Sequence, residues 1–466
     1  MKSPTLCSAQ NSNRICPLAK RRSRVLLSCR RARWPREPAF HFLEEQIHSQ
    51  FCSNAMKNTN RSIGAILNCV TLFSAGCIFA QDWPQWRGPH RDGKVTGFKA
   101  PQTWPRELAQ QWRANVGLGD ATPALVGDKL YVFTRQDTDE VTLCLDAVSG
   151  KELWRDKYAA QSVSGPDGSQ HPGPRSSPAV ADGKIVTLGV GGILSCLDAA
   201  TGKVVWRKDE FPRVAPRFHT AMSPIIVDGM AIAHLGGQGN GALIAFELAT
   251  GDQKWKWAEE APAYASPVLL TVGASKQIVT LTEKSVVGIG VADGKRLWQI
   301  PFLPQGMTYN AATAIVDGQT VIFTGSGRGT KAVKIEKQGD GFAATELWSN
   351  AELATQFNSP VLKDGLLFGL SGRGNFFCLN ARTGQSAWAD TTQQDNKGFG
   401  SILDAGSVLL ALAPKSELIA FKPSDKEYAE VARIKIAETP TYAHPVIAGN
   451  RVFVKDKDTV TMLTIE

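Results

Sequence analysis

The sequence predicts an all-β fold: an eight-bladed β-propeller of four-stranded antiparallel blades, closed by N- and C-terminal strands that share one blade. Three observations predict it. A ten-residue phrase recurs, most clearly as Leu197-Asp198-Ala199-Ala200-Thr201-Gly202-Lys203-Val204-Val205-Trp206, with further copies ending at Trp154 and Trp388. Each copy follows an opening such as Ser177-Pro178, and the openings fall at 122, 177, 223, 266, 312, 359, 401 and 444. Their spacing stays mostly in the forties, the period of propeller blades.

The elements of one unit follow in order. Proline at the first residue of a strand costs no ladder bond. Asp182-Gly183 between two apolar runs makes a tight hairpin, and Thr201-Gly202 makes another. Each unit therefore reads strand, Asp-Gly turn, strand, variable turn, strand, Thr-Gly turn, strand ending at Trp. That Trp, at 154, 206, 255, 298, 348 and 388, should wedge against the neighbouring blade. The seventh unit lacks it and carries Ile434 nearby. The eighth unit runs out of chain after three strands, and Gln110-Gln111-Trp112-Arg113 should supply its fourth. Sharing one blade between the two ends removes the open sheet edge.

Composition divides the chain. Residues 1–80 hold twelve Lys and Arg against three Asp and Glu, and the remainder holds forty of each sign. The net charge of +9 therefore belongs to the leader and gives no reason to expect nucleic-acid binding. Residues 1–55 read as an over-extended start or a disordered leader. Residues 56–80 read as a signal peptide: Met56, then Lys57 and Arg61, then an apolar run from Ile63 to Phe79. A secreted or periplasmic protein is expected, without a membrane span. Cys77 in Ser74-Ala75-Gly76-Cys77 is a possible lipid anchor, although Ser74 stands where Leu is usual. Residues 81–103 read as an N-terminal strap and 104–466 as the propeller. A monomer is expected.

Of nine cysteines only Cys144, Cys196 and Cys378 follow Ala80. All three occupy one small-residue slot of the repeat, on different blades, too far apart for a disulfide. No metal spacing relates them. His90-Arg91-Asp92 lacks the downstream Asn of a kinase loop. Gly325-Ser326-Gly327-Arg328-Gly329 and Ser371-Gly372-Arg373-Gly374 precede no helix and read as hairpin turns. Asp137-Thr138-Asp139-Glu140 lacks the glycine and terminal Glu of a calcium loop. No Gly-x-Ser-x-Gly occurs, so hydrolase chemistry has no anchor.

The repeat phrase resembles the pyrroloquinoline quinone (PQQ) repeat, over about residues 104–466. This resemblance implies a relation to two kinds of protein. One is the quinoprotein alcohol dehydrogenases, which use PQQ with calcium. The other is the BamB-type propellers of barrel assembly, which carry no cofactor. The opening Asp82-Trp83-Pro84-Gln85-Trp86-Arg87-Gly88-Pro89 is similar to the start of planctomycete secreted propellers. The dehydrogenases carry adjacent cysteines and long insertions. This chain has no Cys-Cys pair, and from Trp104 to Glu466 it has room for only about 45 residues per blade. No catalytic, cofactor or metal residue is carried over. The expected function is a non-enzymatic scaffold binding a protein, peptide or glycan without cofactor; a PQQ-dependent dehydrogenase is the alternative.

In such a blade the first and third turns share one face, and here they are uniform. The other face holds the irregular second turns and the blade-to-blade connections. Candidate ligand-face residues there are Asp120, His171, Arg175, Arg217, His219, Tyr264, Asn310, Arg328, Phe357, Arg373, Phe399 and Tyr442. Aromatic and Arg side chains gathered in a concavity are the composition of a binding site.

Overall fold

The computed structural model describes residues 82–160, 168 and 170–465. The leader, the Met56 signal peptide and the Cys77 anchor lie outside the described residues. Eight sheets of four antiparallel strands follow one another in chain order. Blades 1 to 7 span residues 124–159, 179–208, 225–257, 268–301, 315–350, 361–393 and 401–435. Blade 8 takes three strands from 446–464 and its outermost strand from Ala109–Asn115. There Ala109 pairs with Thr464 and Asn115 with Thr459, so the ring closes as the sequence predicts.

The recurring Trp is an inter-blade wedge. Trp206 Nε1 donates to Leu248 O of the next blade at 2.9 Å, Trp255 to Val291 O at 2.8 Å and Trp348 to Ala381 O at 2.9 Å. Trp112 does the same across the closure, to Ala147 O of blade 1 at 3.2 Å. Each of these rings lies on the glycine of the neighbour's third turn. A Cβ on Gly202 would stand 2.4 Å from the Trp154 ring, and the φ of +73° there also demands glycine.

The small-residue slot is the cross-strand partner of this ring: Cys144 faces Trp154, Cys196 faces Trp206, Ala245 faces Trp255 and Cys378 faces Trp388. The three thiols are unpaired and buried, and burial pushes them up to about 11 for Cys144 and about 12 for the other two.

Three blades depart from this set. Trp388 of blade 6 still reaches the next blade, donating to Ser424 O at 2.8 Å, although the Pro423-Ser424 turn there has no glycine. Blade 5 replaces its Thr-Gly turn with a long hairpin, Gly329–Gln338 against Gly341–Asn350, which offers no glycine seat. Trp298 therefore turns back over Gly288 of its own blade and donates to Gln277 Oε1 at 2.7 Å. Blade 7 would need a seat on the third turn of blade 8. The chain ends take the place of that turn, and Ala432 stands in the Trp slot opposite Ala420, with buried Ile434 two residues on.

The Ser-Pro openings have a second use that pattern reading misses. The hydroxyl of each accepts the backbone N–H of the preceding blade's equivalent residue: Thr122 to Ser177 (3.2 Å), Ser177 to Ser223 (2.9 Å), Ser223 to Ser266 (2.9 Å) and Thr313 to Ser359 (2.9 Å). His444 N donates to Thr122 Oγ1 at 2.9 Å, carrying this belt across the closure.

Gly202→Ala and Gly183→Ala separate the two demands on a repeat glycine. Both have positive φ, but a Cβ on Gly183 meets nothing within 4 Å. Gly183→Ala should cost about 1 kcal/mol in denaturant unfolding. Gly202→Ala should cost at least about 2 kcal/mol more, because it unseats Trp154.

Candidate functional site

Most of the candidate residues just before the inner strands touch one another from blade to blade. Phe357 stacks on Phe399 at 4.5 Å with planes 9° apart. Phe399 meets Tyr442 edge-on at 5.6 Å, and Tyr442 meets His171 at 4.6 Å. The His171 Nδ1 lies 2.7 Å from Asp120 Oδ2. Arg175 donates to His171 O at 3.1 Å and to Phe218 O, bridging blades 2 and 3. Tyr264 OH accepts the Phe218 N–H at 3.2 Å, and Phe218, Tyr264 and Tyr309 pack at 5.0–6.2 Å. Burial pushes the Tyr264 and Tyr442 phenols up.

The candidates differ in what remains free. Arg217 is exposed, with its guanidinium 5.5 Å over the Phe218 ring. Arg373 is exposed and has no side-chain bond among the described residues. Phe357 is 38% exposed. His219 holds a φ of +63°, its Nδ1 has no partner among the described residues, and burial followed by the Arg175 charge lowers its pKa.

Arg328 is not free to take a ligand. It donates to Asn310 Oδ1 at 2.5 Å and Phe302 O at 3.0 Å, and lies 4.2 Å over the Phe302 ring. Asn310 is itself buried and donates to Thr282 O and Phe302 O. Both residues therefore tie blade 4 to blade 5.

Sequence reasoning missed the other end of the channel. Residues 82–95 dip into it from the Asp-Gly face. Gly127 N donates to Asp82 Oδ1 at 2.8 Å, Trp83 pairs with Leu125, and Val180 N donates to Pro84 O. At the tip, Arg87 donates to Ser359 O (2.8 Å) and Pro360 O (2.6 Å). Arg91 donates to Ser223 O (3.2 Å), Pro267 O (2.8 Å) and Pro224 O. Trp86 donates to Thr313 Oγ1 at 3.1 Å and packs on His444 at 4.3 Å. The segment leaves along blade 7, where Val95 N donates to Asp404 O. Burial lowers Arg87 to about 10 and Arg91 to about 9, so both remain cationic at pH 7.

A PQQ-type propeller of eight blades, plugged from one face and ringed by aromatics at the other, is the class these features define. The chain belongs to the PQQ_2 family described as outer membrane protein assembly factor BamB, whose profile matches residues 144–390, just over half of its length. The outer membrane protein assembly factor BamB of Burkholderia pseudomallei is 25% identical over 368 residues, covering 76% of this chain and 86% of its own. The crystal structure of BamB from Moraxella catarrhalis aligns with a TM-score of 0.57 at 14% identity, over 77% of this chain and 99% of that one. Quinohemoprotein alcohol dehydrogenase from Comamonas testosteroni aligns with a TM-score of 0.60 at 14% identity, over 82% and 80%. At such identities the two structures speak for the fold alone.

Arg328→Ala should lower unfolding free energy by about 2–3 kcal/mol, since it strips buried acceptors of their donor. Arg373→Ala should stay within about 0.5 kcal/mol of the parent; paired chemical melts compare them. Acid should also weaken the fold. His234, buried with Nε2 at 3.0 Å from Glu260 O, is lowered from 6.5 to about 4 by burial, and burial with the Arg87 charge also holds His444 well below the usual histidine value. The unfolded chain takes up those protons first, so stability is full above pH 6.5 and falls between pH 6.5 and 4. In stability measured against pH, His234→Gln should flatten that fall.

Proposed function

We propose that this chain is a non-enzymatic scaffold, working outside the cytoplasm, that receives a protein partner on the aromatic mouth. The carrying observation is this set of contacts. Most of its polar groups bond one another, and Phe357, Arg217 and Arg373 remain open to solvent. Rigid aromatic anchors flanked by unpaired guanidinium groups are the composition of a protein-binding hot spot. Membership in a family described as an outer membrane assembly factor supports an envelope role, as does the basic-then-apolar pattern of residues 56–80. The same pattern leaves Cys77 as the candidate point of lipidation.

PQQ with calcium does not fit the described residues. The channel at the level of the strand starts is filled by Trp86, Arg87 and Arg91, whose donors are spent on the protein's own acceptors. At the mouth Asp120 is engaged by His171, and Asn310 and Arg328 by each other. No group of three His, Cys, Asp or Glu suited to a metal occurs among the described residues. A quinone carboxylate and a divalent cation would therefore find neither free Arg nor a carboxylate cluster within the channel.

The test is capture from the envelope of the source organism with tagged parent and with Phe357→Ala/Arg373→Ala. The double variant should lose the captured protein, with affinity reduced at least about tenfold and an unchanged melt. Equal capture by both would remove the mouth from consideration, and capture of glycan alone would change the partner class. Dye-linked alcohol oxidation after adding PQQ and calcium would overturn the scaffold reading.

A further inference from the structure

The segment 82–95 is attached to the propeller as a ligand is attached to a receptor. Every one of the eight sheets has four strands without it, and blade 8 is completed by Ala109–Asn115, not by this segment. Its backbone makes only isolated bridges: Trp83 with Leu125 of blade 1 and Lys94 with Asp404 of blade 7, plus the Val180 bond to Pro84 in blade 2. These use the channel-facing edges of inner strands, which the sheets leave unpaired. Between these two bridges the segment follows consecutive turns, with Gly88 N on Gln85 O at 3.1 Å and Arg91 N on Gly88 O at 3.2 Å, so main-chain bonds hold its ends and side chains hold its tip.

The remaining blades are engaged by side chains. Arg91 reaches carbonyls of blades 3 and 4, Arg87 those of blade 6, and Trp86 meets blades 5 and 8. One stretch of fourteen residues thus contacts every blade. The guanidinium fork suits these divergent carbonyls, whereas an ammonium group could serve far fewer of them. Arg87 and Arg91 both hold positive φ, +59° and +58°, a conformation rare for such residues. Between Val95 and Ala109 the chain forms no strand, and Lys99, Gln102 and Thr103 are exposed.

We propose that the channel, entered from the Asp-Gly face, is a peptide-binding site selective for a segment folded into consecutive turns with arginines four residues apart, the first directly after a tryptophan. Residues 82–95 occupy it in cis. This site lies at the opposite end from the aromatic mouth, and its assignment does not depend on what the mouth binds.

The experiment places a specific protease site between Gln102 and Thr103 of the full chain and cuts it in the folded protein. The ring should keep a single cooperative melt, and the released fragment should co-elute with it. A fluorescent synthetic peptide of residues 82–99 should then exchange into the channel saturably. Peptides carrying Arg87→Lys or Arg91→Lys should bind at least about tenfold weaker. A His90→Ala peptide, altered at an exposed position, should bind as the parent does. Unfolding of the ring on cleavage would make the segment an integral element and overturn the proposal. So would loss of the fragment without rebinding, or equal binding of the lysine peptides.

Discussion

The seating of a Trp from one blade on the glycine of the next is the interaction on which this molecule depends. A four-stranded sheet cannot bury both faces alone, so blade-to-blade contact supplies much of the core. In most blades the wedge combines three residues: the ring, a small partner across the strand, and a glycine with positive φ next door. Cys196 facing Trp206, which sits on Gly251, is one complete set. In blade 4 the ring turns inward and in blade 7 it is absent, while Trp388 of blade 6 keeps the inter-blade bond on a turn without glycine.

Regular wedging fixes blade spacing, and regular spacing brings equivalent positions to one circle. The hydroxyl belt lies on one such circle and the aromatic mouth on the next. The belt uses backbone N–H groups, so it constrains residue type to Ser or Thr at most openings. The mouth carries no such constraint, and its positions are filled by residues as different as Asp120, Asn310 and Phe399. Uniform architecture below and varied chemistry above is how a repeat frame hosts a particular partner.

Much of this was legible in the sequence. The Trp, Asp-Gly and Thr-Gly signals are local and repeat, so the blade, its four strands and the borrowed strand around Trp112 could be read directly. Some of the contacting residues share a sequence offset, two residues before an opening, as Asp120, Tyr264 and Phe399 do. The partners of Arg328 could not be read. They are a carbonyl and an amide on another blade, and nothing near Arg328 in the chain announces them. Arg87 and Arg91 were hidden for the same reason: their acceptors are main-chain oxygens, which leave no trace in side-chain identity. Phe218 and Tyr309 lie one position to the side of the expected places, in connections whose paths the repeat does not set.

Blade 8 joins residues 109–115 to residues 459–464. As the chain is synthesised from its N-terminus, the strand around Trp112 is made first and its partner last. Seven blades can stack in order while this strand waits with its edge uncovered. The pairing that finally covers it closes a loop of nearly the whole propeller, the kind of non-local contact that folds slowly. Newly made chains therefore pass through an open, edge-exposed stage that lasts until the final twenty residues or so arrive, and any cellular protection against misassembly has to act in that interval.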